Sequence, residues 1–403
     1  MFENIRHSKL ALRFSIIGVL ICAGYYILET VNGRNQMADF RVYYDACNAF
    51  LGDTQLYGLA FGVGSGFYKY SPFATIPFIP LAVLSYKTAS ILFYVIITLC
   101  IIGWSLWLIN YFNKNLSSGN SKNHLNGWIL AAISIFMADH IERELHLGNV
   151  NLFLLIGAAA VYHLKSQKPW TAGAIYGLML LFKPHFLILL PYFVWKKEWK
   201  VIGGTVGMFG LGLIVPALSK GWSPNIALHQ DWLAAIRDHN VVLYESPSTI
   251  YGIVNRFILG GNGGSWLVLA GLVVVGALFL LLIIRNRNSE KFTSSFLEFF
   301  ILVALIPNLA HTDTEHFMWT WPLVGYVVWH LFKSEIPGKW IYILAMVAAF
   351  IPYCLNSPDI VGRDIRYLFD EGGLLGVANL IIIAVAILIF KKSSSENPRL
   401  AVS

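Results

Sequence analysis

Charge is what this sequence has least of. Asp, Glu, Lys and Arg make up 13% of its 403 residues, where a soluble domain carries about a quarter. So thin a supply of charge cannot cover an apolar content of 57% in water, which excludes an ordinary soluble globule and leaves a polytopic membrane protein. Cysteine is also scarce. Cys22, Cys47, Cys100 and Cys354 have no metal-like spacing and two fall in apolar runs, so no disulfide framework is expected and only a Cys47 to Cys354 bridge stays open. The sequence has no P-loop, no GxGxxG and no nucleophile elbow, so ATP, NAD and serine-hydrolase chemistry have no support. No repeat of fixed period is found either.

What is abundant fits a bilayer. Thirteen Trp, nineteen Tyr and fifteen Pro are the material of interfacial belts and broken helices. The net charge of +7 sits in short turns between apolar runs, so membrane orientation explains it better than nucleic acid, which is not expected as a partner. Arg6, Lys9 and Arg13 precede the first run without a small-x-small cleavage site, so that run is expected to stay as the first span.

Apolar segments near 14–31, 88–112, 127–139, 150–164, 170–182, 184–195, 201–218, 265–284, 294–310, 317–332, 339–355 and 373–390 predict a helical bundle of about twelve spans, several of them short. With both termini cytoplasmic, every inner turn is basic: Lys114/Lys122, Lys165/Lys168, Lys196/Lys197/Lys200, Arg285/Arg287/Lys291, Lys333/Lys339 and Lys391/Lys392. The acids Asp39, Asp45, Asp53, Asp139, Glu142, Glu144, Asp231, Asp238, Asp313 and Glu315 fall on the opposite side. The chain reads as one integral membrane domain over 1–403, with a first outer loop at 32–87 and a second long one at 219–264 that closes on G-G-N-G-G. The proline-broken run Ser71–Ser85 is taken as a re-entrant or surface helix of the first loop. As a full span it would turn the basic loops outward.

In the stretch Ala38–Pro72, Phe40, Tyr43, Tyr44, Cys47, Phe50 and Leu51 recur at helical offsets, with Arg41, Asp45 and Asn48 on the other face. This predicts an amphipathic helix on the membrane surface with Asp39 at its start, as a helix cap, a catalytic acid or both. The turn D-H-I-E-R-E-L-H-L-G-N-V-N at 139–151 places His140 and Glu144 at i and i+4, open to a metal or to a self-neutralising helix end. Lys183, after an apolar run and before Pro184, either snorkels or binds an anion. His311, Asp313, Glu315 and His316 lie beside Trp319 and Trp321, an aromatic rim that suits a sugar ring, with metal binding and proton relay also open.

Taken together, D-F-R-V-Y-Y-D-A with L-G-D-T-Q-L-Y-G and Y-K-Y-S-P-F resembles the opening of glycosyltransferase family 87, the polyprenyl-phosphate-mannose-dependent mannosyltransferases of the GT-C superfamily. L-G-N-V-N at 147–151 is similar to that family's G-Q-x-N turn, F-K-P-H-F at 182–186 to its K-P turn, and E-H-F-M-W at 315–319 to its histidine-aromatic motif. Asn149 stands where the family usually has glutamine, and Glu315 where many members have a second histidine.

The resemblance implies a GT-C helical bundle with surface helices in the first outer loop, and transfer of a hexose, mannose by family, from a polyprenyl-phosphate donor to a lipid or glycan acceptor. It implies a bacterial inner membrane location with the site facing the periplasm. Carried over by position, Asp39 is the catalytic acid and His316 assists at the donor phosphate. Lys183, Arg143 and Lys69 are candidates for the phosphate, and Asn149, Asn151, Tyr43, Glu315 and His311 for the substrate, with no metal or other cofactor expected. Two rivals are carried with it. One is a lipid-linked glycan ligase or polymerase leaning on Arg237 and Arg256. The other is a transporter or flippase, for which mid-span charges other than Glu298 are lacking.

Overall fold

The structure is a computed structural model that describes residues 9–62, 66–116, 123–240, 246–257, 292–310 and 313–396. Its longer helices, in chain order, are α1 (Lys9–Val31), α2 (Ala38–Leu51), α3 (Tyr86–Leu116), α4 (Asn126–Phe136), α5 (Ala138–Leu147), α6 (Asn151–Leu164), α7 (Pro169–Phe182), α8 (Trp199–Ile214), α9 (Trp222–Asn240), α10 (Phe292–Leu309), α11 (Trp321–Lys333), α12 (Lys339–Cys354) and α13 (Leu374–Glu396). Among the described residues the one β pairing is a bridge between Ala60 and Phe67. The protein is all-helical, as the apolar runs predict.

α1, α3, Trp199–Lys220 and Leu374–Lys392 are long and apolar enough to cross a membrane, and α5 with α6, bent by 116° at residues 148–150, counts as a fifth span if the pair is one. Pro72–Ala82, α4, α7, Pro184–Trp195, Ser294–Leu309 and α12 are apolar but shorter, the class the sequence also contains. Leu12, Leu20 and Ile21 on α1 and Trp340, Ile341 and Leu344 on α12 are more than 60% exposed, a pattern that suits lipid and not water. The protein is an integral membrane protein. The expected span at 265–284, the turn Arg285/Arg287/Lys291, Lys122 and the G-G-N-G-G connector lie outside the described residues. All four cysteines are free thiols, so the Cys47 to Cys354 bridge is not formed.

The chain is laid out as two compact units, one of Met1–Trp104 with Ile141–Val241 and one of Ser105–His140 with Val242–Ser403. In the first, α7 and α8 approach backbone to backbone. A Cβ on Gly173 would stand 2.1 Å from the Val201 carbonyl oxygen and one on Gly177 2.7 Å from that of Thr205, so this contact exists only because those positions lack side chains. α1 buries little of its surface but is tied to α5 by the Tyr25 hydroxyl donating to Glu142 and by His146 Nδ1 3.0 Å from Glu29.

α2 forms as the periodicity predicts, with Arg41 Nε donating to Asp45 at 2.6 Å across one turn of its polar side. It is more enclosed than a surface helix. Val42, Ala46 and Ala49 are buried along with Phe40, Tyr43, Cys47 and Phe50, while Leu51 is exposed. Residues 72–82 fold as a 3₁₀ turn, Pro72–Phe78, and a short helix, Ile79–Ala82, in which the prolines interrupt the backbone ladder.

In the second unit a buried polar hub joins α10, α13 and the turn before α11. Asn379 Nδ2 donates to the Ala304 carbonyl and to Asn308 Oδ1, each at 2.7 Å, while its Oδ1 accepts from Thr320 at 2.5 Å. Tyr353 on α12 donates to the Phe317 carbonyl at 2.6 Å. These bonds anchor the 3₁₀ turn Thr314–Thr320 at both its middle and its end.

Candidate active site

α2 starts after Met37, a left-handed residue at φ 43° with no side-chain cap bond. Asp39 therefore lies inside the first turn and is not the cap, at the end of the helix where the dipole favours an anion. Its carboxylate accepts from Asn149 Nδ2. This approach depends on Gly148, at φ +66°. A Cβ there would stand 2.7 Å from Met37 Cε and 2.8 Å from Phe40 Cβ, so any side chain would push α2 off the bend between α5 and α6.

Asn149 is 3% exposed and its amide is fixed from both ends. Its Oδ1 accepts from the Val150 N–H at 2.7 Å and from the Tyr43 hydroxyl at 3.3 Å, which orients Nδ2 toward Asp39. Burial, then the neighbouring Tyr70 and Asp39, pushes the Tyr43 phenol well above its ordinary range, so it stays a neutral donor. Tyr43 and Tyr70 hydroxyls are 3.1 Å apart, and the Tyr70 ring lies 5.9 Å from Lys183 Nζ. Lys183 closes α7 in an extended conformation and donates to Asn151 Oδ1 at 2.6 Å. Asp39, Tyr43, Tyr70, Asn149, Asn151 and Lys183 thus form one continuous cluster, an anion, an orienting amide and a cation held at 6% exposure.

The remaining candidates sort differently. Glu144 is fully buried and accepts from the Leu152 N–H at 2.8 Å, so it serves the start of α6. That use explains a carboxylate in this turn without the metal that His140 and Glu144 suggested by spacing. His140 is itself packed edge-on to Tyr353, ring centroids 4.5 Å apart. Arg143 is half-buried on α5. Lys69 is half-buried, with its carbonyl accepting from Trp232 Nε1 at 3.1 Å, and it borders a cleft on the far side of Tyr70.

In the second unit Glu315 and His316 are both buried in the 3₁₀ turn. His316 Nδ1 lies 3.2 Å from the Asp313 carbonyl oxygen, and because a carbonyl only accepts, Nδ1 bears the proton and the neutral ring's lone pair is on Nε2. Its ring sits edge-on to Trp319 at 5.0 Å. The ligating atoms of Asp313, Glu315 and His316 all lie within 4.8 Å of one another, so this is the place among the described residues where a divalent cation would find ligands. His311 lies outside the described residues.

One residue of the cluster, and one glycine beside it, escaped the sequence reading. Tyr70 stands inside the quoted Y-K-Y-S-P-F, and the alternation of Tyr68, Lys69 and Tyr70 was the available signal of an extended segment with two tyrosines on one side. Gly148 lay inside the quoted L-G-N-V-N, but only its positive φ reveals why no side chain is tolerated there.

Comparison with known proteins agrees with the glycosyltransferase motifs. A curated relative, the alpha-(1->3)-arabinofuranosyltransferase of Corynebacterium glutamicum, is 24% identical over 288 residues, which cover 68% of this chain and 63% of that protein. The match thus spans a little under two thirds of the relative's length. A solved structure, ArnT from Cupriavidus metallidurans bound to undecaprenyl phosphate, aligns over 96% of this chain and 79% of its own at 10% identity, with a TM-score of 0.44. The sequence profile of glycosyltransferase family 87 matches residues 67–307, more than half of the chain and inclusive of the Lys183, Asn149 and Asn151 turns, and the protein is a member of that family.

Proposed function

We propose that the protein transfers a sugar from a polyprenyl-phosphate donor to a hydroxyl of a lipid or glycan acceptor at the periplasmic face of a bacterial inner membrane, with inversion. The observation that carries this reading is the carboxylate of Asp39, oriented by a buried amide at the start of a helix in the same cluster as a buried lysine.

A sugar on a lipid phosphate already has a good leaving group, so the demands are a base for the acceptor and cations for the phosphate. In the proposed step the acceptor oxygen bonds to the anomeric carbon from the face opposite the phosphate. The bond from that carbon to the phosphate oxygen breaks, the electron pair leaves with the lipid phosphate, and the acceptor proton goes to Asp39. Lys183, with Arg143, neutralises the departing phosphate, and Asn151 fixes the Lys183 ammonium. A single displacement of this kind inverts the anomeric centre, and inversion is part of the proposal. The role that family position gives His316, assistance at the donor phosphate, is carried as part of the same proposal.

The sugar has two readings. The motifs favour mannose, and the name of the C. glutamicum relative favours a pentofuranose. Purified protein in nanodiscs, given radiolabelled polyprenyl-phosphate mannose or polyprenyl-phosphate arabinofuranose with a lipid extract as acceptor, separates them. Transfer from one donor that vanishes in Asp39→Asn supports the reading, and near-normal transfer in that variant places the base elsewhere. The same assay on His316→Ala tests the histidine.

A further inference from the structure

A second concave site lies in the first unit, beside the Asp39 cluster. It is a cleft of about 640 Å³ bordered by Gln55, Tyr57, Gly58 and residues 67–69 of the first loop on one side and by α9 on the other. The loop wall is aromatic. Tyr57 and Tyr68 are buried with centroids 5.8 Å apart, and Phe67 is 43% exposed. The helix wall is one stripe, Asp231, Ala234, Ala235 and Asp238, at offsets of three, four and seven, so two exposed carboxylates flank a floor of methyl groups. A rise of 1.5 Å per residue separates the two carboxylate positions by about 10 Å, too far to share one cation. Trp232 Nε1 pins the loop to α9 through the Lys69 carbonyl.

The lining decides the occupant. Two carboxylates against the single Lys69 ammonium disfavour a phosphate, and Asp238 also faces Arg237, whose Nε donates to it at 3.2 Å. The exposed face of Phe67, with hydrogen-bond acceptors at either end of an apolar floor, suits a neutral sugar, whose C–H face packs on a ring while its hydroxyls donate to carboxylates. The cleft also backs onto the proposed base. The Tyr57 hydroxyl donates to the Tyr70 carbonyl at 2.7 Å, the Tyr68 ring meets that of Tyr70 at 5.7 Å, and Tyr70 leads through Tyr43 and Asn149 to Asp39.

We infer that this cleft is the acceptor's sugar-binding subsite, which takes a neutral glycan headgroup with the exposed Phe67 ring under a sugar ring, Tyr57 and Tyr68 backing that wall, and Asp231 and Asp238 on its hydroxyls; the assignment rests on the reading of Asp39 as base for the acceptor. It moves Lys69 from the donor phosphate to the acceptor.

The test is binding to nanodisc-embedded protein followed by saturation-transfer NMR, with three soluble probes: the methyl glycosides of a mannobiose and of an arabinobiose, and glycerol phosphate. At least one glycoside binds, Asp39→Asn retains that binding, and Phe67→Ala and the pair Asp231→Asn with Asp238→Asn each weaken it about ten-fold or more. In turnover the same variants raise the acceptor KM by a similar factor, with the donor KM moving less than about two-fold. Binding of neither glycoside, glycoside binding indifferent to these substitutions, or glycerol phosphate binding that Lys69→Gln abolishes overturns the assignment. Phe67, Asp231 and Asp238 are exposed, and melting temperatures within a few degrees of the parent confirm that all the variants are folded. An active Asp39→Asn protein would instead remove the base while leaving the binding result readable.

Discussion

Asn149 donates to Asp39 while its own oxygen is occupied by the Val150 N–H and the Tyr43 phenol, so the amide has one way to stand. Replacing it separates positioning from proton transfer. Asn149→Ala keeps the carboxylate but frees its rotamer, and kcat is expected to fall about 10- to 100-fold with the donor KM little changed. Asn149→Asp puts a second carboxylate against the first. The pair then holds a shared proton to higher pH, so the acid limb of the pH–rate profile moves upward, since the base is lost at a pH where the parent still has it. A profile that does not move would mean that Asp39 is not the titrating base. Gly148→Ala is the companion test. It meets both a left-handed backbone and the Met37 and Phe40 side chains, and is expected to cost about 1–2 kcal/mol of stability as well as activity. Asp39, Asn149 and Lys183 were legible because charged and amide groups at the ends of apolar runs stand out. Gly148 and Tyr70 were not, because their importance lies in a dihedral angle and in a partner 27 residues away.

The helices themselves show which patterns a sequence can carry. α2 was readable from its offsets of three and four, yet Val42, Ala46 and Ala49 are also buried, since apolar periodicity reports one face and not what later packs on the sides. The 116° bend between α5 and α6 was foreshadowed only by Gly148 in a polar turn. α13 read as a plain span, and its one asparagine gave no sign of being a hub, because Ala304, Asn308 and Thr320 are 59 to 75 residues distant along the chain. Hydrogen bonds between helices in a bilayer contribute about 0.6 kcal/mol on average and up to about 1.7. Asn379→Leu removes four, counting the Tyr353 hydroxyl that also donates to it at 3.3 Å, and leaves Asn308 and Thr320 without that partner, so a loss of about 2–4 kcal/mol is expected, read as a fall of several degrees in the melting temperature in detergent. Because Thr320 ends the turn that holds His316, the variant should also lose activity at temperatures below its melting transition. An unchanged melting curve would show that the hub carries no net stability.

At the scale of the whole molecule the membrane class was plain from composition, while the two compact units were not, since each is assembled from two separate stretches of chain. What composition also carries is orientation. The turns with Lys165 and Lys168, with Lys196, Lys197 and Lys200, and with Lys333 and Lys339 are basic; the helices before the first and the third start from the amide-rich turn at Asn149 and the acidic turn at Asp313 and Glu315, while the one before the second starts from Lys183 and His185. If these turns are cytoplasmic, the first loop, with Asp39 and the cleft beside Phe67, meets the periplasm. Single cysteines in a chain whose four native cysteines are replaced by alanine test this directly, and two exposed positions suffice: Thr54 in the first loop and Ser166 in a basic turn. Thr54→Cys is expected to react with a membrane-impermeant maleimide in intact spheroplasts, and Ser166→Cys only after the membrane is opened. The reverse pattern would place Asp39 on the cytoplasmic side. There a nucleotide-sugar donor is available and a lipid-linked one is not required, so the polyprenyl-phosphate reading would lose its topological basis even if the carboxylate proved essential.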